Sequence, residues 1–172
     1  MLKVLGAVLV FAGALGIGSS IGKSCRLHCK ELLALKELLI LIGNEMRIRK
    51  LPLPQMCKRL ANQCEEPYAG CLKEVSEQLL LYLEASPKRV WKGVLEKRRK
   101  DFLLSDEEYQ IFLDAGALFE RLGRGLQEEE IQIFTEQVQF RYTKAQQELQ
   151  TRLRVSRYLS AAGGIFLILL LI

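Results

Sequence analysis

Apolar residues recur at steps of three and four along most of the chain, which is the spacing of one face of an α-helix. In the segment 25–48 these positions are Leu32, Leu35, Leu39, Ile42 and Met46. The block LLALKELLILI within that segment is apolar on nearly all sides, which indicates a helix buried around most of its circumference. The pattern leaves open whether residues 32–42 pack inside one domain or against another copy of the chain.

Proline and small polar residues divide the middle of the chain into further helices. The LPLP break at 51–54 ends the first helix, because the residue before a proline avoids the helical region. Pro54 can then open a second helix that runs to about residue 63, and a third follows over 68–85. Ser86 is the expected cap of a fourth helix with Pro87 in its first turn, ending near residue 102.

Two more helices complete the pattern, and no segment alternates in the way a strand requires. Ser105 and Glu108 have the spacing of a capping box, and the fifth helix follows them. Its apolar stripe comprises Phe112, Ala115, Phe119 and Leu122, with Gly123 and Gly125 closing it. A last helix starts at the acidic residues 128–130 and keeps one apolar seam through Ile131, Phe134, Val138, Tyr142, Ala145, Leu149 and Leu153. The sequence therefore predicts an all-α fold, an antiparallel bundle of about six helices.

Both ends of the chain are nearly free of charge. Residues 4–21 carry no charged side chain and approach the roughly 20 residues that a membrane span needs. Residues 158–172 are equally apolar but shorter, so a helix that enters one leaflet is the alternative to a full span. A cleaved signal peptide is disfavoured, because the first apolar run continues past its possible cleavage site. We therefore divide the chain into a transmembrane helix at 1–22, a helical domain at 23–157 and a second transmembrane helix at 158–172.

Charge and cysteine content indicate which side of the membrane the domain occupies. The domain-side flanks of the two apolar runs are basic, while the outer ends carry only Lys3. The positive-inside rule then places the domain in the cytosol with both termini outside. Five cysteines, an odd number without an evident pairing, also fit a reducing compartment. They are Cys25, Cys29, Cys57, Cys64 and Cys71.

The remaining patterns argue against catalysis and nucleic-acid binding. A net charge of +5 is too small to predict a nucleic-acid partner. The densest basic cluster, at 88–100, fits either an acidic partner, anionic lipid or a solvated helix face. Cys25, His28 and Cys29 share one helix face, but a closed zinc site needs a fourth ligand. A small metal-binding membrane protein is thus an alternative, while no catalytic or cofactor-binding residue is predicted and the chain is not expected to be an enzyme.

Several stretches resemble the stage III sporulation protein AB family of endospore-forming bacteria, and the likeness covers essentially the whole length. They are the opening MLKVLGAVLV, Asn44-Glu45 followed by the LPLP break, Trp91, residues 119–123, Gln132 and the ending YLSAAGGIFLILLLI. The chain departs from the family in two places. The stretch RGLQEEEI lacks an aspartate at the start of the last helix, where Glu128 can substitute for it, and the first half is unusually rich in cysteine.

The resemblance implies a role in the complex that joins the mother cell to the forespore. The family's domain is similar to the cytoplasmic domains of type II secretion and type IV pilus platform proteins, which work at the membrane above a cytosolic ATPase. The expected partners are the stage III AA ATPase, the other stage III A membrane proteins and the lipid bilayer, with a homo-oligomer possible. A true secretion or pilus platform is the alternative, although such proteins usually have two copies of the helical domain and three spans.

Within that role, charge density selects the residues expected to contact the ATPase. Two dense charged stretches lie near one another in the sequence. They are the basic cluster at 88–100 and the acidic start of the fifth helix. The expected contact residues are Arg89, Lys92, Arg98, Arg99, Glu107 and Glu108.

Overall fold

The computed structural model describes the backbone of residues 2–48, 51–82, 85–120 and 128–171. It also describes the side chains of these residues, except for those of 2–21, 48, 128 and most of 156–171. These ranges contain seven α-helices, one short 3₁₀ turn at Arg99–Asp101 and no strand, so the predicted all-helical class is confirmed. The helices are α1 Leu2–Ile48, α2 Leu53–Ala61, α3 Tyr68–Leu81, α4 Pro87–Lys97, α5 Asp106–Asp114, α6 Ala117–Glu120 and α7 Glu128–Leu171.

The chain forms two compact units. The first comprises Met1–Cys29 with Thr143–Ile172, and the second comprises Lys30–Tyr142. In the first unit a Cβ added at Gly22 would lie 3.7 Å from Leu153 Cδ2. That is an ordinary van der Waals distance, so α1 and α7 lie side by side at this level.

The described residues include no helix that is both long enough and apolar enough to cross a membrane. Most side chains of the spans predicted at 1–22 and 158–172 lie outside the described residues. They stay predictions.

The second unit is built around the leucine-rich half of α1. Leu32, Leu35, Leu38 and Leu39 have no exposed surface and Ile42 is only 1% exposed. This side of the helix is therefore covered within the chain itself, while Ile40 on another side is 39% exposed. Burial of this many large side chains is the main source of stability for the unit, at roughly 1.5–3 kcal/mol per side chain removed from water.

Aromatic side chains fill the space between α3, α4 and α5. The Trp91 ring meets Phe112 and Phe119 edge to face, at centroid distances of 5.0 and 4.9 Å. Its indole Nε1 donates a hydrogen bond to the Phe112 carbonyl at 3.2 Å. Tyr68 extends the cluster to Phe102 and Phe112, both at 5.4 Å. The Trp91 ring is thus packed against other aromatic rings, and its one polar atom is hydrogen-bonded.

The fifth predicted helix is in fact two helices, which corrects the sequence prediction. Helix α5 ends at Asp114, and α6 begins at Ala117. The reason lies at Gly116, where an added Cβ would collide with Cδ1 of Trp91. The backbone turns where it passes the indole ring, and only glycine fits that approach.

The predicted stripe of this segment is nevertheless buried. Phe112, Ala115 and Phe119 are at most 2% exposed. Its remaining members, Leu122, Gly123 and Gly125, lie outside the described residues.

The starts of α4 and α5 follow the sequence prediction. The capping box of α5 is confirmed: Ser105 N donates to Glu108 Oε2 at 2.8 Å, and Glu108 N to Ser105 Oγ at 3.4 Å. Pro87 opens α4 as predicted, but Ser86 does not cap it with its side chain. Ser86 occupies the N-cap position as predicted, and its hydroxyl donates a hydrogen bond to Glu120 Oε1 at 2.6 Å.

A buried carboxylate joins α1 to the segment before α5. Glu31 is 8% exposed, and the backbone N–H of Leu103 lies 2.8 and 2.9 Å from its two carboxylate oxygens. The Tyr68 hydroxyl donates to the carbonyl of the same residue at 3.3 Å. Glu31 therefore fixes the extended chain of 102–105 against the leucine-rich helix.

Candidate interaction surface

Two of the predicted contact residues are exposed cations on α4. Arg89 and Lys92 both lie on the solvent side of the helix, while Val90, Trp91, Val94 and Leu95 form its buried side. Lys92 Nζ is 3.7 Å from Glu96 Oε1 one turn along, and more than half of each side chain is exposed. Exposed pairs of this kind contribute little to stability. The two cations are therefore accessible to a partner.

Arg98, in contrast, holds its own unit together. Its Nε is 2.9 Å from Asp101 Oδ2, and its Nη atoms lie 3.8 and 3.9 Å from Glu66 and Glu74. A Cβ at Gly70 would come within 2.6 Å of Nη1. The guanidinium thus lies directly against the α3 backbone, and Arg98 joins three segments rather than presenting a free charge.

Arg99 is likewise used internally. Its guanidinium donates to the carbonyls of Phe102 and Leu104, at 3.3 and 2.9 Å, and to Asp106 at 2.9 Å. Its Cζ lies 4.5 Å from the centre of the Tyr109 ring, a cation–π distance. These contacts shape the turn that leads into α5.

The two predicted acidic residues have different roles. Glu107 is well exposed and pairs with Arg141 of α7. Glu108 is only 5% exposed and its carboxylate completes the capping box. The structure therefore leaves Arg89, Lys92 and Glu107 as surface residues, and assigns Arg98, Arg99 and Glu108 to internal contacts. Charge density in a sequence cannot make this distinction.

A groove between α5 and α7 is the feature that the sequence analysis missed. Its volume is about 550 Å³, and its apolar wall comprises Ile111, Ile133 and Phe140. The polar rim comprises Glu107, Glu136, Gln137 and Arg141. Ile133 and Phe140 are 53% and 68% exposed. Their spacing of seven is a helical repeat on the side of α7 opposite the buried Val138, and it could have indicated a second apolar face.

The whole chain also matches a known protein family. The family model for stage III sporulation protein AB matches residues 3–172. The chain belongs to the stage III sporulation protein AB family. The resemblance that the sequence suggested is thereby confirmed.

A solved structure shares the fold of this family member. It is that of a stage III sporulation protein AB (SpoIIIAB), which superimposes with a TM-score of 0.60 at 19% sequence identity. The alignment covers 70% of this chain and 94% of that one. No curated protein sequence matches.

The cysteines of this family member do not form a metal site with its histidine. In the part of the chain that the structure describes, which includes Cys25, His28 and Cys29, no three or more His, Cys, Asp or Glu side chains are grouped so as to hold a metal ion. Elsewhere, burial raises the pKa of Cys57 and Cys71 to about 12. Both are therefore thiols rather than reactive thiolates at neutral pH.

Proposed function

We propose that this protein is a structural adaptor in the membrane of the mother cell that faces the forespore, required for sporulation. It couples the cytosolic stage III AA ATPase to the other stage III A membrane proteins of the channel complex. It performs no catalysis itself. The observation that supports the proposal is the match of residues 3–172 to the stage III sporulation protein AB family.

The surface chemistry supports an ATPase contact on α4. Arg89 and Lys92 project from a helix whose opposite side is anchored by the fully buried Trp91. A charged face on a rigid support is what an adaptor needs, because exposed charges steer association and set specificity. Glu107 adds a carboxylate elsewhere on the same unit. We assign Arg89 and Lys92 to the principal contact and Glu107 to an accessory one.

The ends of the chain support a membrane location. The apolar runs at 4–21 and 158–172 are joined by helices α1 and α7 to residues of the second unit. We propose that these runs form the two transmembrane helices, with the domain at 23–157 in the cytosol. The basic residues Lys23, Arg26, Arg152 and Arg154 are exposed beside the runs, where anionic headgroups attract them.

Reversing the charge of the two exposed cations tests the ATPase contact. The double variant Arg89→Glu and Lys92→Glu is expected to weaken capture of the ATPase by the tagged full-length protein about tenfold or more, because a like-charge contact replaces an attractive one. The measurement is a pull-down with purified ATPase at two salt concentrations. High salt is expected to weaken the wild-type interaction as well.

A matched variant controls for net charge. Lys58→Glu and Lys73→Glu change two exposed cations on α2 and α3 by the same amount, and they are expected to leave capture unchanged. Capture that is equally strong with the α4 variant would exclude Arg89 and Lys92 from the contact. The earlier candidates Arg98 and Arg99 are unsuitable for this test, because their removal would disturb the fold itself.

A further inference from the structure

An apolar tip projects from the second unit at the end of α3. Leu80, Leu81 and Tyr82 are 59%, 76% and 63% exposed. Three consecutive large apolar side chains that face water are unusual unless they belong to an interface. A turn fixes their position, since Ala85 N–H donates to the Tyr82 carbonyl at 3.0 Å.

Two basic residues, Lys88 and Arg89, follow this tip in the sequence after one acidic residue, Glu84. Lys88 and Arg89 are exposed in the first turn of α4, which carries no acidic residue. Positive charge at a helix N-terminus opposes the helix dipole and costs local stability. A local preference that is violated in this way is expected at functional sites. The exposed apolar side chains at 80–82 are therefore followed by positive charge at Lys88 and Arg89.

The groove between α5 and α7 has the complementary character. Ile133 and Phe140 expose apolar surface along it. Two carboxylates, Glu107 and Glu136, lie on its rim beside one guanidinium, that of Arg141. The rim therefore has a net negative charge. An apolar groove with such a rim is complementary to a segment that carries apolar side chains next to lysine and arginine.

We propose that the tip at 80–82 of one copy docks into the groove between α5 and α7 of a second copy. Leu81 and Tyr82 enter against Ile133 and Phe140, and Lys88 approaches Glu136. The two surfaces differ, so the contact is head-to-tail, and a copy whose tip is docked still offers its groove to the next copy. Such contacts build closed rings or extended rows rather than a simple two-fold dimer. The inference goes beyond the proposed function. Arg89 and Glu107 lie beside this contact and also belong to the proposed ATPase contact, so the test is made without the ATPase.

The head-to-tail geometry gives a specific test with two variants. Leu81→Asp removes the tip and Phe140→Asp removes the groove. Both side chains are mostly exposed, so each variant is expected to fold, which far-ultraviolet circular dichroism checks. The full-length protein in mild detergent, without any other protein, is followed by sedimentation equilibrium over a range of micromolar concentrations.

The expected results differ for single variants and for their mixture. The wild type forms species larger than a dimer, and each single variant associates at least about tenfold more weakly, as loss of an interface anchor does. An equal mixture of the two variants forms dimers and nothing larger, because only one intact tip and one intact groove meet. The control Leu103→Asp changes another exposed leucine, 57% exposed, and associates like the wild type.

Three outcomes would overturn the proposal. They are a wild type that stays monomeric, single variants that associate as strongly as the wild type, and a mixture that fails to form the dimer. A wild-type protein that is monomeric by itself would also overturn the proposal if its groove binds a different protein. Weakening by Leu103→Asp to the same extent would show non-specific apolar association, and would count equally against it.

Discussion

Replacing Trp91 by alanine is expected to lower the free energy of unfolding by about 3–5 kcal/mol, the range for removing a large buried aromatic side chain. Trp91 has no exposed surface and meets the rings of Phe112 and Phe119. The cavity cannot close easily, because the turn at Gly116 is shaped around the indole ring. The variant also deprives the Phe112 carbonyl of its donor. Urea unfolding of the full-length protein in mild detergent, followed by circular dichroism, measures the change.

Phe140→Ala is the matched control for the aromatic core. It also removes an aromatic ring, but one that is 68% exposed, and surface substitutions usually change stability by less than about 0.5 kcal/mol. Equal effects of the two variants on the unfolding midpoint would mean that the aromatic cluster does not hold α4, α5 and α6 together.

Replacing Glu31 by alanine is expected to cost about 1.5–3 kcal/mol of stability, the range for hydrogen bonds to a charged group. Both carboxylate oxygens receive the Leu103 N–H, and alanine would leave this part-buried donor without its acceptor. Glu31→Gln retains one acceptor oxygen and should have an intermediate effect. Hydrogen exchange is the second measurement, and the Leu103 amide should lose protection more than the amides of α2.

Glu37→Ala supplies the comparison on the same helix. Glu37 is exposed two turns further along α1, so its loss is expected to be nearly neutral. An unchanged exchange rate at Leu103 in the Glu31→Ala variant would contradict the role assigned to this carboxylate.

Local signals in the sequence are sufficient for most helix starts. Two predicted ends were wrong, since α3 ends at Leu81 rather than at 85 and α4 at Lys97 rather than near 102. The capping box at Ser105 and Glu108, the LPLP break and Pro87 each act through their immediate neighbours, so their effects could be predicted from the sequence. Periodicity likewise identified the buried leucines of α1, because the side of a helix that faces a core is determined by spacing.

Features that depend on distant contacts could not be predicted in this way. The break between α5 and α6 requires knowing that Trp91, about two dozen residues earlier, lies against Gly116. The hydrogen bond from the Ser86 hydroxyl to Glu120, 34 residues further along the chain, likewise depends on the fold. The role of Glu31 could not be predicted, because its neighbours Leu32 and Leu35 dominate the apolar pattern. The pattern also does not show that its carboxylate accepts a hydrogen bond from the distant Leu103 N–H.

The candidate surface shows the same limit. Arg89 and Arg98 are equivalent in a count of basic residues, yet one faces solvent and the other joins Glu66, Glu74 and Asp101. Only the positions of those acids distinguish them. The family, by contrast, was evident from the order of motifs along the whole chain, and the match over residues 3–172 confirms it.

The most direct test of the adaptor role is the fraction of stage III AA ATPase recovered with the membranes of sporulating cells. Cells that produce the wild-type protein should retain the ATPase on the membrane, and cells that lack it should release most of the ATPase into the supernatant. The Arg89→Glu and Lys92→Glu variant should itself remain in the membrane fraction but fail to retain the ATPase. An ATPase that stays with the membranes when this protein is absent, or a wild-type protein found in the supernatant, would contradict the account.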